Sequence, residues 1–145
     1  MDTSGKASIT AIVDVHAPLE TVWAAWNTPG DIMQWNNVTD EWHTPTVEND
    51  LRPGARFLYV MGLKDGSFNF NFEGIYDEVK AYELISYTLD DGRKSTITFK
   101  AHGETVRVTE VFEPNNSDPI EMQSAFCQAV LHSFKRHVEG NLAKL

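Results

Sequence analysis

The feature that most constrains this chain is a long run of strand patterns followed by a single long amphipathic helix. Between residues 38 and 113, short stretches alternate between apolar and polar residues, which is typical of β-strands with one buried face. Asp65-Gly66 and Asp91-Gly92 are hairpin signals, and His102-Gly103 is a third expected turn. Such local connections predict an antiparallel meander of about six strands.

The C-terminal stretch "DPIEMQSAFCQAVLHSFKRHVEGNLAKL" predicts the helix. Asp118 is the expected N-cap and Pro119 the first helical residue. A helical wheel over about 20 residues or more gathers seven mostly apolar positions on one side. These inner positions are Gln123, Cys127, Val130, Leu131, Phe134, Val138 and Asn141. Such a stripe must be buried against one face of the sheet.

The N-terminal part supplies one more strand and two short helices. Ile9–His16 alternates as a strand does, and "APLETVWAAW" follows with Pro18 at its helical start. "TPGDIMQWNN" predicts a second short helix with Ile32 and Trp35 facing inward. The order predicts an α+β chain with a helix-grip fold. A curved antiparallel sheet of about six to seven strands would wrap the C-terminal helix.

Composition limits the function classes. A chain of 145 residues suits one domain, expected over residues 8–145 after a flexible stretch 1–7. The net charge of −9 disfavours nucleic acids and anionic membranes as partners. The single cysteine, Cys127, excludes an internal disulfide and favours a cytoplasmic location. No apolar run is long enough to span a membrane, and no signal-peptide pattern appears at the N-terminus.

Several segments carry a family resemblance, among them "APLETVWAAWNTPGDIMQW", "NDLRPGARFLYVM", "DGSFNFNFEGIYDEV" and "AVLHSFKRHVE". Over about residues 8–140 the chain resembles the START-like helix-grip superfamily. Within it, the chain is similar to the activator of heat-shock-protein-90 ATPase homologue group, which is often labelled together with polyketide cyclases. One departure is Phe126, where close relatives tend to carry a tryptophan.

The resemblance implies a hydrophobic cavity between the sheet and the last helix. We therefore expect the chain to bind a small hydrophobic or amphipathic molecule, such as a lipid, and to be a binding protein rather than an enzyme. One alternative is a cyclase- or hydrolase-like enzyme that uses the same pocket. Another is a co-chaperone-like protein-interaction domain that stimulates a chaperone ATPase. Members of the group have no common catalytic motif that would decide between these functions.

The stretch "SFNFNFEG" raises the question of what its three phenylalanine rings face. Alternation places Phe68, Phe70 and Phe72 on one side, which we expect to face the C-terminal helix. One end of this row should pack on the helix and the other should line the cavity. Gly74 should leave room for a bend or for a ligand. The aromatic ligand-binding candidates are Trp35, Trp42, Phe57, Tyr59, Phe70, Phe72, Tyr76, Tyr87 and Phe134.

Glu110 is the foremost polar candidate. It shares a strand face with Val106 and Val108, so it should point inward if they do. A buried carboxyl is costly unless it is hydrogen-bonded, and burial raises its pKa. It could therefore orient a ligand or transfer a proton, or it could be a purely structural hydrogen-bonded residue.

The other polar candidates lie near the expected cavity. His43, beside Trp42, should border its mouth, although a packed Trp next to a solvated His is the alternative. Gln123 could hydrogen-bond a ligand, and Cys127 is expected to be a small buried apolar residue at the cavity rather than a nucleophile. Only Glu110 and His43 are candidates for catalysis.

No cofactor or metal is expected. The five histidines lack metal-ligand spacing, and no phosphate-binding glycine motif is present. A homodimer formed through an apolar edge strand stays an open alternative.

Overall fold

The computed structural model describes residues 8–37 and 39–143, so the predicted flexible N-terminus 1–7 lies outside the described residues. Within this range the chain forms seven strands and three helices. In chain order they are β1 (Ile9–Val15), α1 (Leu19–Asn27), α2 (Pro29–Trp35), β2 (Trp42–Asn49), β3 (Arg56–Leu63), β4 (Asn69–Lys80), β5 (Leu84–Leu89), β6 (Lys94–His102), β7 (Thr105–Phe112) and α3 (Ile120–Ala143). The predicted α+β helix-grip order is confirmed.

All seven strands form one antiparallel sheet in the order β1-β7-β6-β5-β4-β3-β2. The three predicted turns are present, and Gly66, Gly92 and Gly103 adopt φ values of +80°, +92° and +63°. This left-handed backbone is where glycine is favoured. Because β1 and β2 lie at opposite edges, α1 and α2 carry the chain from one edge of the sheet to the other.

Gly74 marks a close approach of two strands. A Cβ atom there would lie 2.4 Å from the carbonyl oxygen of Thr88 on β5. The register of β4 against β5 also shifts between Tyr76 and Glu78. The space predicted beside Gly74 is therefore filled by a neighbouring strand rather than by a ligand, and the strand bends just beyond it.

Helix α3 is anchored by its C-terminal half. Phe134 is fully buried, and its ring centroid lies 5.0 Å from those of both Trp26 and Trp35. The Ser133 hydroxyl donates to the Trp35 carbonyl oxygen at 2.7 Å. The N-terminal half differs, since Met122 is 60% exposed. One end of the helix is thus fixed on α1 and α2, while Met122 near the other end is largely exposed.

The start of α3 differs slightly from the prediction. The helix begins at Ile120, and the carbonyl oxygen of Pro119 accepts hydrogen bonds from the backbone N–H groups of Met122 and Gln123, both at 3.1 Å. Pro119 therefore precedes the first helical residue instead of being that residue. A shift of one residue at a helix end is small, because terminal hydrogen bonds are irregular.

Polar side chains of α3 cover the free edge of β1. The Gln128 amide donates to the Ile12 carbonyl oxygen at 2.8 Å and accepts from the Ile12 N–H at 3.3 Å. The Lys135 ammonium donates to the Asp14 carbonyl oxygen at 2.6 Å. These contacts satisfy backbone groups that an added strand would use. On the opposite edge, β2 contains Pro45 and a register shift, so neither edge favours the homodimer, which stays an open alternative.

We expect Gly74→Ala to destabilise the fold by about 1–3 kcal/mol, because its new methyl group would overlap the β5 backbone. Gly30→Ala is the matched control, since a Cβ atom there meets nothing within 4 Å and Gly30 lies in helix α2. It should gain about 0.5–1 kcal/mol. Urea unfolding of both variants measures the difference. Equal stabilities would contradict the proposed strand contact.

Candidate functional site

A cavity of about 510 Å³ lies between the concave face of the sheet and the N-terminal half of α3. Its floor is formed by Trp26 and Trp35, the same rings that hold Phe134. Most of the predicted ligand-binding residues are at its wall. These are Trp35, Phe57, Tyr59, Phe70, Phe72, Tyr76, Tyr87, Glu110, Gln123 and Cys127.

Five aromatic rings form one continuous wall of the cavity. Phe57 lies at its centre, with its ring centroid 4.9–5.7 Å from those of Tyr59, Phe72, Tyr76 and Tyr87. Strand pairing explains the cluster, because Tyr59 is opposite Phe72 and Tyr76 is opposite Tyr87. Rings packed against one another in this way present a stiff apolar surface to the cavity.

Glu110 is the centre of a polar cluster inside this apolar cavity. The Ser95 hydroxyl lies 3.4 Å from its Oε2, and the Cys127 thiol lies 3.2 Å from its Oε1. Tyr87 also hydrogen-bonds the carboxyl. Burial raises the pKa of Glu110, while the hydrogen bonds from Cys127, Ser95 and Tyr87 partly offset that rise. Val106 and Val108 are buried on the same face of β7, so the inward orientation predicted for Glu110 is observed.

The environment of Cys127 does not suit a nucleophile. The residue is buried, and burial together with the neighbouring Glu110 carboxyl raises the pKa of its thiol. Because the thiolate is the reactive form, this environment suppresses reactivity. The expectation of a small buried residue at the cavity therefore agrees with its placement.

The three tyrosines of the wall differ in their hydroxyl partners. Tyr76 donates to Asn49 Oδ1, and Tyr87 hydrogen-bonds Ser95 and Glu110. Tyr59 has no hydrogen-bond partner among the described residues. Every fully buried side-chain oxygen or nitrogen of the described residues has a hydrogen-bond partner. The unpaired Tyr59 hydroxyl is therefore not fully buried, and it opens to the cavity that Tyr59 lines. Burial raises the pKa of both Tyr59 and Tyr87, so both remain protonated donors at neutral pH.

Gln123 reaches the cavity, but its amide is already paired. Its Oε1 accepts from the Asn115 N–H at 2.9 Å, and its Nε2 donates to the carbonyl oxygens of Asp118 at 2.9 Å and Asn115 at 3.2 Å. These bonds hold the loop before α3 against the first turn of the helix. The structure therefore supports a role in holding this loop better than the predicted hydrogen bond to a ligand.

Three predicted site residues do not line the main cavity. Phe134 is in the core, because it is farther along α3 than the residues that reach the cavity. Trp42 and His43 line an adjoining cleft of about 10 Å³, which has room for about one water molecule. This cleft shares Phe70 and Phe126 with the cavity, so Trp42 and His43 border the cavity without lining it. His43 is therefore not placed to act on a molecule in the main cavity.

The phenylalanine row runs outward from the cavity wall. Phe72 belongs to the wall, Phe70 is 37% exposed at its rim, and Phe68 is 52% exposed outside β4. Phe68 contacts Trp42, with ring centroids 6.2 Å apart. The expectation that one end of the row packs on the helix is wrong, because α3 packs mainly on β1 and on α2.

Several lining residues were not among the sequence candidates. Ser95 and Met61 could have been found, because each alternates with residues on the concave face of its strand. Residues of the loop before α3 carry no periodic signal. The full set of unpredicted lining residues is Trp26, Asn36, Met61, Ile85, Leu89, Arg93, Lys94, Ser95, Phe112, Glu113, Asn115, Asp118, Met122, Phe126 and Val130.

Two further features bear on the site. The described residues contain no group of three or more His, Cys, Asp or Glu side chains arranged to hold a metal ion. None of the described helices combines the length and apolar character needed to cross a membrane.

Comparison with known proteins identifies relatives of this chain. The profile of the family described as activator of Hsp90 ATPase homolog 1-like protein matches residues 16–139. The solution structure of an AHSA1-like protein from Aeromonas hydrophila is 36% identical, covers 93% of this chain and 94% of that one, and has a TM-score of 0.88. A solution structure from Cytophaga hutchinsonii is 46% identical, covers 94% of each chain and has a TM-score of 0.81. The comparison with curated proteins found no match.

The raised pKa of Glu110 predicts a pH dependence of stability. Because the folded protein holds this proton more tightly than the unfolded chain, the stability that depends on it is complete below about pH 4.5. It is then lost as the pH rises through the folded pKa. Relative to the wild type, Glu110→Gln should therefore gain unfolding free energy from about pH 4.5 upward. Urea unfolding across this range measures the difference, and a difference that does not vary with pH would contradict it.

Proposed function

The chain belongs to the activator of Hsp90 ATPase homolog 1-like family, and on this premise we propose that it binds a small apolar or amphipathic molecule between the sheet and α3. The observation that carries the proposal is the cavity itself. Its volume of about 510 Å³ falls in the range of small-molecule sites, which are mostly apolar with a few polar groups. Neither a uniformly polar cavity nor a solidly packed core would combine an open apolar space with a few polar groups.

The distribution of polar groups supports an amphipathic ligand. The aromatic wall around Phe57 would cover an apolar body, while Glu110 and Tyr59 would meet a polar group. Gln123 contributes little to recognition in this proposal, because its amide bonds the loop before α3. We also retain a cytoplasmic location as a proposal, based on the single cysteine.

An enzyme that uses the same pocket is the second candidate, and Glu110 is the observation that favours it. A carboxyl with a raised pKa inside a cavity is suited to general acid–base catalysis. This candidate assigns the proton transfer to Glu110 alone, because His43 lies in the neighbouring cleft. Incubating a recovered ligand with the wild type and with Glu110→Gln, followed by mass spectrometry, tests it. Turnover that is unchanged in the variant would exclude this role for Glu110.

A co-chaperone role rests on the family description alone. It would require an interface with a chaperone and stimulation of the chaperone's ATPase. Binding and ATPase measurements with the purified chaperone from the same organism would decide it.

We expect Val130→Trp to block ligand binding, because Val130 lies on α3 at the cavity wall and an indole would fill the space. Affinity for the uncharged probe N-phenyl-1-naphthylamine should fall by at least about tenfold, the equivalent of about 1.4 kcal/mol. Ala125→Trp is the matched control, since it adds the same group at an exposed position of the same helix that does not line the cavity. Its affinity should match that of the wild type.

Fluorescence titration measures both affinities, and circular dichroism verifies that the variants fold. Equal binding by the two tryptophan variants, or no binding by the wild type, would overturn the proposed function. Mass spectrometry of a solvent extract of the purified protein would identify a ligand that copurifies with it.

A further inference from the structure

We infer that the ligand carries an uncharged acceptor oxygen, such as a ketone carbonyl, which takes hydrogen bonds from Tyr59 and Glu110 at the polar end of the cavity. The inference rests on the proposed function, since it assigns a chemical class to the molecule that this cavity holds. It names two side chains for recognition, one from β3 and one from β7.

Tyr59 supplies the first reason. Its hydroxyl opens to the cavity, and no described residue accepts its proton. A phenol is a strong donor and a weak acceptor, because its oxygen lone pair is partly delocalised into the ring. An unpaired donor in an apolar wall loses the hydrogen bond that it made in water, and a ligand acceptor would restore it.

The neighbours of Glu110 supply the second reason. Ser95 and Cys127 both direct a hydroxyl or thiol at the carboxyl oxygens, and Tyr87 bonds to it as well. Within the described residues the carboxyl makes no ion pair, and burial raises its pKa more than these hydrogen bonds lower it. A neutral carboxylic acid has a proton of its own to donate. The polar end of the cavity is therefore rich in donors, and its complement is an acceptor.

Charged ligands fit this end less well. An ammonium group would bring further donors to a cluster that already directs its protons toward the carboxyl. Arg93 and Lys94 also line the cavity, and Arg93 is already paired with Asp91. A carboxylate ligand beside Glu110 would oppose that residue whenever it ionises, and both ions would lose hydration in an apolar cavity. A neutral oxygen acceptor avoids both costs and still pairs with Tyr59.

Three naphthalene probes with the same propyl-length substituent test the inference. One is the aromatic ketone 6-propionyl-2-(dimethylamino)naphthalene, the second is 6-propyl-2-(dimethylamino)naphthalene, which lacks only the carbonyl oxygen, and the third is (6-propyl-2-naphthyl)methylammonium. Binding is measured by fluorescence for the wild type, Tyr59→Phe, Glu110→Gln and Tyr82→Phe. Tyr82→Phe is the matched control, because it removes the same atom from a tyrosine that is 47% exposed and does not line the cavity.

The wild type should bind the ketone more tightly than the other two probes. Tyr59→Phe should weaken ketone binding by about three- to tenfold, the range for one neutral hydrogen bond. Glu110→Gln should keep ketone binding within about twofold, because the glutamine amide still donates a hydrogen bond. Both should leave the carbonyl-free probe unchanged within about twofold. Tyr82→Phe should keep the ketone preference. The carbonyl stretching frequency of the bound ketone should also rise in Tyr59→Phe, because a hydrogen bond to the carbonyl lowers it.

Several results would contradict the inference. The inference is overturned if Tyr59→Phe keeps the ketone preference. It is also overturned if the ammonium probe binds most tightly and Glu110→Gln loses that binding. Equal binding of all three probes by the wild type overturns it while leaving the proposed function intact. If no probe binds the wild type, the proposed function fails as well.

Discussion

The packing of Phe134 between Trp26 and Trp35 is the contact on which the rest of the structure depends. Both ring pairs are edge-to-face at 5.0 Å, a geometry that contributes about 0.5–1.5 kcal/mol per pair beyond burial. They fix the C-terminal half of α3 to the two short helices. Because the helix is rigid, its N-terminal half is then held over the concave sheet, and the unfilled space beneath it is the cavity.

Stability and ligand recognition place different demands on the residues around the cavity. Stability is favoured by closely packed apolar side chains, whereas recognition needs polar groups that are not fully hydrogen-bonded within the protein. The wall around Phe57 meets the first requirement, since its rings support one another without a ligand. Glu110 and Tyr59 meet the second, at the cost of a buried carboxyl with a raised pKa. The hydrogen bonds from Ser95 and Cys127 reduce this cost, so the fold can retain the carboxyl.

Periodicity explains which parts could be predicted from the sequence. Alternation determines the face of a strand, and so it correctly predicts Glu110 and Phe72 on the concave side. A helical wheel likewise predicts the inner face of α3, but it contains no information about position along the helix axis relative to the sheet. For this reason the wheel places Phe134 at the cavity, whereas the residue lies in the core. Gln123 hydrogen-bonds an irregular loop, and the sequence of such a loop has no periodicity from which these bonds could be predicted.

The position of α3 also depends on polar contacts with the sheet edge. Gln128 and Lys135 bond backbone groups of β1, so the helix occupies the place that another strand would take. These bonds and the Phe134 contact hold the helix from Gln128 onward, whereas Met122 and Phe126 on the preceding turns are exposed. Phe126 and Phe70 both line the cavity while remaining exposed, so the cavity meets solvent between α3 and β4. A molecule that enters there would contact aromatic side chains first and would reach the Glu110 cluster only inside the cavity. A ligand whose polar group is buried at the inner end of the cavity would make its contacts in this order.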